Sequence, residues 1–402
     1  MLREIKKPNR DHARRLMQCL VVAIRPLRVE ELAEILAVDF DDASGIPELK
    51  PSWRWEDHEQ AVLTSCSSLI IIIDTDLSRI VQFSHFSVKE FLTSERLATS
   101  SQDVSRYHII LKPAHTIMAQ ACLSTLLRLD NSIEDTGVEE LFPLARYAAE
   151  HWVGHAQFED VASRIKGMED LFDPNKPYFE AWRKLHDMDT EPSDTSTFFQ
   201  FCDFSKSGTY TPLYYAALCG FLNLVEQLIT KHPEHVNTIG GYFRTPAVAA
   251  LAGRHFQVAQ LLHRNGSSVD PPGRALISTL HSAVCSEDLE MVQVLLDYGL
   301  DVNAQNDVGC TPLNFGFNGR FNDPNVVQLL LDHDADPNVP MNGGMTPLHH
   351  ASRHGTIEVA RMLAEHGASV EVKDEEGKTP WDYASGERCE EMIKLLSEYR
   401  TK

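Results

Sequence analysis

Residues 345–372 read MTPLHHASRHGTIEVARMLAEHGASVEV, two short helical patterns separated by glycine. Thr346 can cap the first helix with its hydroxyl, and Pro347 falls in the first turn, where no N–H is needed. Ala351 and Ser352 are small enough for neighbouring helices to approach closely. Gly355 ends the first helix at a position suited to a left-handed residue. Val359, Met362 and Leu363 recur at helical spacing and form the apolar stripe of the second helix. Gly367 closes it, and the chain turns toward another copy of the same pattern.

The pattern recurs through residues 208–402. Thr-Pro stands at Thr211-Pro212, Thr245-Pro246, Thr311-Pro312, Thr346-Pro347 and Thr379-Pro380, with threonines 34, 66, 35 and 33 residues apart. The skipped unit carries Ser278-Thr279-Leu280-His281 at the matching place. A second marker keeps the same time: Val236-Asn237, Val269-Asp270, Val302-Asn303, Pro337-Asn338 and Val370-Glu371, in steps of 33, 33, 35 and 33. A period near ~33 residues carrying T-P-L-H-x-A is the ankyrin signature. About six units are expected over 207–402. None can bury its apolar face alone, so each depends on its neighbours.

The totals set outer limits. The 402-residue chain is long enough for two or three domains. Its formal charge of −21 opposes binding to nucleic acid or an anionic membrane, which need a basic surface. Eight scattered cysteines with no C-x-x-C indicate a reduced compartment rather than a disulfide framework or zinc site. No apolar run reaches membrane-spanning length. No signal peptide is expected at the N-terminus, and the expected location is cytoplasmic.

The first part predicts helices over 11–24, 29–36 and 57–66, strands over 69–73 and 80–84 joined by a polar turn at 74–79, and a helix over 88–92. The segment 39–50 reads as an acidic loop. Three helices followed by a hairpin are the order of a winged helix. Many winged helices bind DNA, but this recognition helix offers Asp57 and Glu59 and no Lys or Arg to meet phosphate.

RPLRVEELAEILAVDF, SCSSLIIIID and FSHFSVKEFL together resemble the winged-helix segment that follows the NACHT nucleotide-binding domain in fungal NLR-like proteins. The same segment type is named after the winged helix of GPI inositol-deacylase-like proteins. The resemblance covers residues 1 to about 107 and implies the switch module of a STAND-type ATPase. PLARYAAEHWVGHA is similar to the helical spacer of the same NACHT–ankyrin family. No G-x-x-x-x-G-K-[ST] loop or Walker B strand is present, and Met1 stands roughly where the nucleotide-binding domain should end. Gly377-Lys378-Thr379 imitates the end of a phosphate loop, but Val372 occupies the place of its first glycine, so an ankyrin turn is expected. The expectation is therefore a fragment that is not itself an ATPase. In this family a histidine after the wing strand senses nucleotide phosphates, a role the resemblance transfers to His85 only if a NACHT domain is supplied. The alternative for His85 is capping or packing the next helix.

Residues 108–206 read as a helical spacer, with 114–129, 140–155 and 158–172 amphipathic. His151 and His155 stand four apart, a spacing that can hold a metal, but no third ligand accompanies them and helix packing is the expected role. Neither G-x-S-x-G nor H-E-x-x-H occurs, and no nucleophile–base pair is apparent. The reading is a mostly α chain: a winged helix with a small β-hairpin over 1–107, a spacer over 108–206 and an ankyrin α-solenoid over 207–402. Its expected function is a non-catalytic protein–protein interaction scaffold that uses the concave face of the solenoid. The alternative is the regulatory half of a truncated NACHT-type receptor. No catalytic residue, cofactor, metal or small-molecule ligand is expected. Candidate partner contacts are the residues before each Thr-Pro and their neighbours: Tyr210, Tyr214, Tyr215, Arg244, Met345, His350, Arg353, His354 and Lys378, with Ile277, Cys310 and Asn314 in the same pattern. Aromatic and arginine side chains are the usual interface anchors.

Overall fold

The computed structural model describes residues 2, 5–41, 46–66, 69–75, 78–130, 137–189, 209–270, 278–306, 308–315, 323–384 and 389–400. They divide into two compact units, one of Met1–Met188 with Thr211–Lys231, the other of Asp189–Tyr210 with His232–Lys402.

The first unit opens with α1 (Arg10–Val22), whose Leu16, Met17 and Cys19 are fully buried. It ends at Val22, where Ala23 leaves the helix with ψ of 131°, ahead of Pro26. Strand β1 (Leu27–Arg28) runs directly into α2 (Val29–Ile35). At this junction the Glu31 carboxylate is buried. It accepts the Arg28 backbone N–H at 2.7 Å and a two-pronged pair of bonds from Arg25 at 2.7 and 2.9 Å. A buried carboxylate persists only with such compensation.

Two-residue strands β2 (Val38–Asp39) and β3 (Glu48–Leu49) pair antiparallel and bury Val38 against Leu49. Apart from Val38 they lie within the segment 39–50 expected to be loop; strands this short leave no alternation to read. After α3 (His58–Cys66), β4 (Ile70–Asp74) and β5 (Arg79–Phe83) form the expected hairpin, closed by Thr75 N–H to Ser78 C=O at 2.9 Å. The sheet order is β1-β5-β4, all antiparallel. Helices α4 (Phe86–Leu92), α5 (Glu95–Ala98) and α6 (Gln102–Ser105) complete the winged helix.

The spacer packs α7 (Leu111–Leu126) against both α1 and α9 (Ala145–Gln157). The helix expected over 140–155 is split: α8 (Val138–Leu141) stops before Pro143, and α9 restarts beyond it. The next expected helix is not continuous either. Glu159 and Asp160 take φ of 43° and 59° inside the 3-10 segment Phe158–Arg164, and only α10 (Met168–Leu171) follows Gly167. Helix α11 (Tyr178–Leu185) brings Phe179 and Trp182 against Trp152 and Phe172. Edge-to-face ring pairs of this kind add ~0.5–1.5 kcal/mol each beyond area burial. The first ankyrin pair, α12 (Pro212–Leu218) and α13 (Leu222–Lys231), belongs to this unit: Tyr215 packs edge-on against Phe179 at 5.2 Å, and Phe221 lies 5.4 Å from Trp152.

Five further helix pairs make up the second unit: α14 (Pro246–Ala252) with α15 (Phe256–Arg264), α16 (Thr279–Cys285) with α17 (Leu289–Asp297), α18 (Pro312–Phe315) with α19 (Pro324–Asp332), α20 (Pro347–His354) with α21 (Ile357–Glu365), and α22 (Pro380–Tyr383) with α23 (Cys389–Arg400). The Thr-Pro marker has the anticipated meaning. The hydroxyls of Thr211, Thr245, Ser278 and Thr311 accept the N–H three residues on, and Thr346 and Thr379 form capping boxes with His349 and Asp382. Gly355 ends α20 at φ 69°. Arg254 and Glu287 take φ of 58° and 54° two residues past the ends of α14 and α16, a left-handed position filled here without glycine.

Candidate interaction surface of the ankyrin repeats

The loops before Thr311-Pro312 and Thr379-Pro380 are turns built by their own side chains. Asn306 accepts the N–H groups of Val308 and Cys310 at 3.2 and 2.9 Å. Asp374 accepts those of Glu376 and Lys378, both at 2.9 Å. The Tyr383 hydroxyl donates to the same Asp374 carboxylate at 2.6 Å and holds its pKa below the usual range. Adjacent turns stack through Asn342 N–H to Val308 C=O and Glu375 N–H to Gly343 C=O. At Gly344, φ is 77° and a Cβ would stand 2.9 Å from Glu375 N, so the next turn leaves no room for a side chain.

Two sequence markers prove to be ties between repeats. The second marker's asparagines bridge backbones. Asn303 accepts from Asp336 N–H at 2.8 Å and donates to Asp334 C=O at 3.1 Å; Asn338 does the same with Ser369 and Gly367. The histidine of T-P-L-H is the other tie. His349 Nδ1 accepts the Thr346 N–H, which leaves the proton on Nε2 to donate to Lys378 C=O at 3.2 Å. His281 reaches Cys310 C=O at 2.9 Å, and Asn314, in the same slot of its repeat, donates to Val339 C=O at 2.7 Å. Burial lowers the pKa of both histidines and keeps them neutral. The periodicity was visible in the sequence; the cross-repeat acceptors were not.

The candidate contact residues separate into two sets. Arg353, His354 and Lys378 are exposed, and Tyr210, Arg244 and Met345 are half-buried. The Lys378 ammonium pairs with Glu376 at 2.6 Å and lies 5.5 Å from the Tyr383 ring. Tyr214 and Tyr215 are corrected: at 2% and 0% exposure they are core, and Tyr215 donates its hydroxyl to Asp187 within the aromatic cluster. His350 is corrected as well. It is 7% exposed with Nε2 3.0 Å from the Met341 sulfur, and burial lowers its pKa to about 4. Cys310 and Asn314 are also buried, and Ile277 lies outside the described residues. The reason is common to all: these first helices are so short that Pro347 through Ser352 are buried without interruption.

His85 is the exposed N-cap of α4, where its Nδ1 accepts the Ser87 N–H at 3.2 Å. Beside it Phe86 is 73% exposed. Leu69, Val88, Phe91 and Leu92 of the same segment line an open cavity of about 600 Å³. His155 has both ring nitrogens engaged. Ile24 N–H donates to the Tyr147 oxygen at 3.1 Å, while the His155 ring bonds the Tyr147 hydroxyl through Nε2 and His115 Nδ1 through its own Nδ1, each at 2.9 Å. Burial lowers its pKa to about 3. Neither nitrogen is available for the metal that its spacing from His151 could have suggested.

Among the described residues no helix is long and apolar enough to cross a membrane. Residues 213–306, 247–340 and 318–402 match three copies of the ankyrin-repeat model, and residues 2–102 match the model described as GPI inositol-deacylase, winged helix domain. The chain is 30% identical over 276 residues to azaphilone pigments biosynthesis cluster protein L of Monascus ruber, across 64% of this chain and 56% of that protein. It is 36% identical over 141 residues to potassium channel AKT1 of Arabidopsis thaliana, across 27% of this chain and 16% of that protein. The chain thus spans about half or less of these curated relatives. The solved ankyrin repeat domain of Bcl-3, a member of the IkappaB protein family, is similar at 26% identity and a TM-score of 0.37, across 48% of this chain and 100% of that one. Ankyrin repeats indicate protein partners, and this chain joins them to a winged helix of the GPI inositol-deacylase type, the combination typical of fungal NACHT–ankyrin proteins.

Proposed function

We propose that the chain is a non-catalytic scaffold that binds a protein partner through the concave strip of turn tips and first helices of its solenoid. The observation that carries the reading is the exposure of the basic residues Arg353, His354 and Lys378, with Met345 half-buried, in consecutive repeats. Tyr210 and Arg244 extend the strip in the earlier repeats. In an acidic chain such a strip suits a partner with complementary charge, which sets orientation and on-rate more than affinity. The domain division 1–107, 108–206 and 207–402 and a cytoplasmic location belong to the same proposal, as does the absence of a nucleic-acid ligand.

A second reading is the regulatory half of a nucleotide-switched receptor of the NACHT type. Its support is the exposure of His85 and Phe86 at the start of α4, on a surface another domain could meet. Under this reading His85 senses phosphate only when a nucleotide-binding domain is attached.

The experiment is quantitative capture of partners from a fungal lysate by the full chain and by the triple variant Arg353→Ala, His354→Ala, Lys378→Ala. Specific proteins enriched by the first and lost with the second are the expected result. Equal recovery by both would remove the strip from consideration, and recovery of nucleic acid in place of protein would end the scaffold reading.

A further inference from the structure

We infer that His232, Glu234 and His235 form a site for a zinc-class divalent cation, with a fourth coordination position open to solvent. The proposal stands apart from the interaction strip and uses none of its residues.

The sequence HPEH builds the site locally. Pro233 starts the one-turn 3-10 helix Pro233–His235 with His232 as its N-cap. In a 3-10 helix, positions three apart eclipse. His232 and His235 accordingly stack, with ring centroids 5.3 Å apart and planes 19° from parallel. The turn is pinned by His235 N–H to His232 C=O at 3.0 Å, and by Thr238, whose N–H and hydroxyl donate to His235 C=O and Glu234 C=O at 3.3 and 3.2 Å. The Glu234 carboxylate reaches both rings: its Oε1 lies 3.4 Å from His232 Nδ1 and 3.9 Å from His235 Nε2.

All three ligand atoms fall within 4.8 Å of one another, and among the described residues this is the only group of three such side chains so placed. A tetrahedral zinc with bonds of ~2.0–2.1 Å separates its ligand atoms by about 3.4 Å. One edge already has that length, so modest rotation of the side chains closes the remainder. Both rings are 24% exposed and the carboxylate 63%, which gives an ion a path in and leaves a face uncovered. Two imidazoles and one carboxylate are a donor set that suits zinc.

One carboxylate on a dication leaves a single positive charge, which a chain of net −21 accommodates.

The test uses the tag-free full chain, stripped with chelator and titrated calorimetrically with zinc chloride. Cobalt(II) absorption provides an independent report of coordination. Saturation at one equivalent is expected, with visible cobalt bands and a raised unfolding temperature when zinc is present. His232→Ala, His235→Ala and Glu234→Gln should each weaken binding by more than about tenfold, since even outer-shell partners of metal ligands contribute that much. Circular dichroism of each variant confirms that it folds. An absence of saturable micromolar binding overturns the proposal. So does unchanged stoichiometry and affinity in the His232→Ala/His235→Ala double variant, which would place the zinc elsewhere.

Discussion

Replacing His155 with glutamine removes a proton-binding site from the first unit while keeping its hydrogen-bond pattern. The glutamine carbonyl can accept from Tyr147, and its amide can donate to His115. The histidine ionises near 6.5 when unfolded and is depressed to about 3 by burial in the folded chain. The unfolded state therefore takes up the proton first as pH falls. Stability from the neutral ring is present above the unfolded value and is lost progressively between pH 6.5 and 3. Between pH 7 and 5 the loss amounts to about 2 kcal/mol, on a limiting slope of ~1.4 kcal/mol per pH unit. Urea unfolding followed by tryptophan fluorescence is the assay, because Trp152 and Trp182 are buried in the same unit. Histidines that do not touch His155 are common to both proteins and cancel in the comparison. The wild type should lose about 2 kcal/mol more than His155→Gln over this range. A variant whose stability falls as steeply as the wild type would refute the assignment of a neutral, doubly bonded His155.

Ala351 is fully buried on α20, and Ala351→Phe should overpack the repeat core and cost roughly 1–3 kcal/mol, read as a lower urea midpoint. Glu31→Ala should cost about 3 kcal/mol or more by leaving the Arg25 and Arg28 groups without their shared buried acceptor; thermal unfolding at matched pH tests it, and a shift within error would contradict the buried-pair account. Gly344→Ala meets Glu375 N at 2.9 Å and must displace the following turn, so the loss should exceed that of an alanine at exposed Glu376. Calorimetry with Mg-ATP should give no micromolar binding; a measurable site would overturn the reading that this chain alone holds no nucleotide.

What could be read from the sequence was whatever repeats or alternates. The Thr-Pro marker located five of the six described ankyrin first helices, and Ser278 at the matching place located the sixth, because a capping hydroxyl acts within one turn of chain. Two apolar β-branched runs around a polar turn located the wing hairpin to within one residue, from 69–73 and 80–84 expected to Ile70–Asp74 and Arg79–Phe83 observed. Tertiary structure decided what each side chain faces. Tyr214 and Tyr215 look like surface aromatics in sequence, yet helix α12 turns them inward, because a seven-residue helix against its partner has almost no outer face. The cross-repeat roles of Asn303, Asn338, His281 and His349 depend on acceptors about thirty residues away, which local pattern does not encode. Period and capping are properties of a few consecutive residues, whereas burial and bonding between repeats exist only once the helices have stacked.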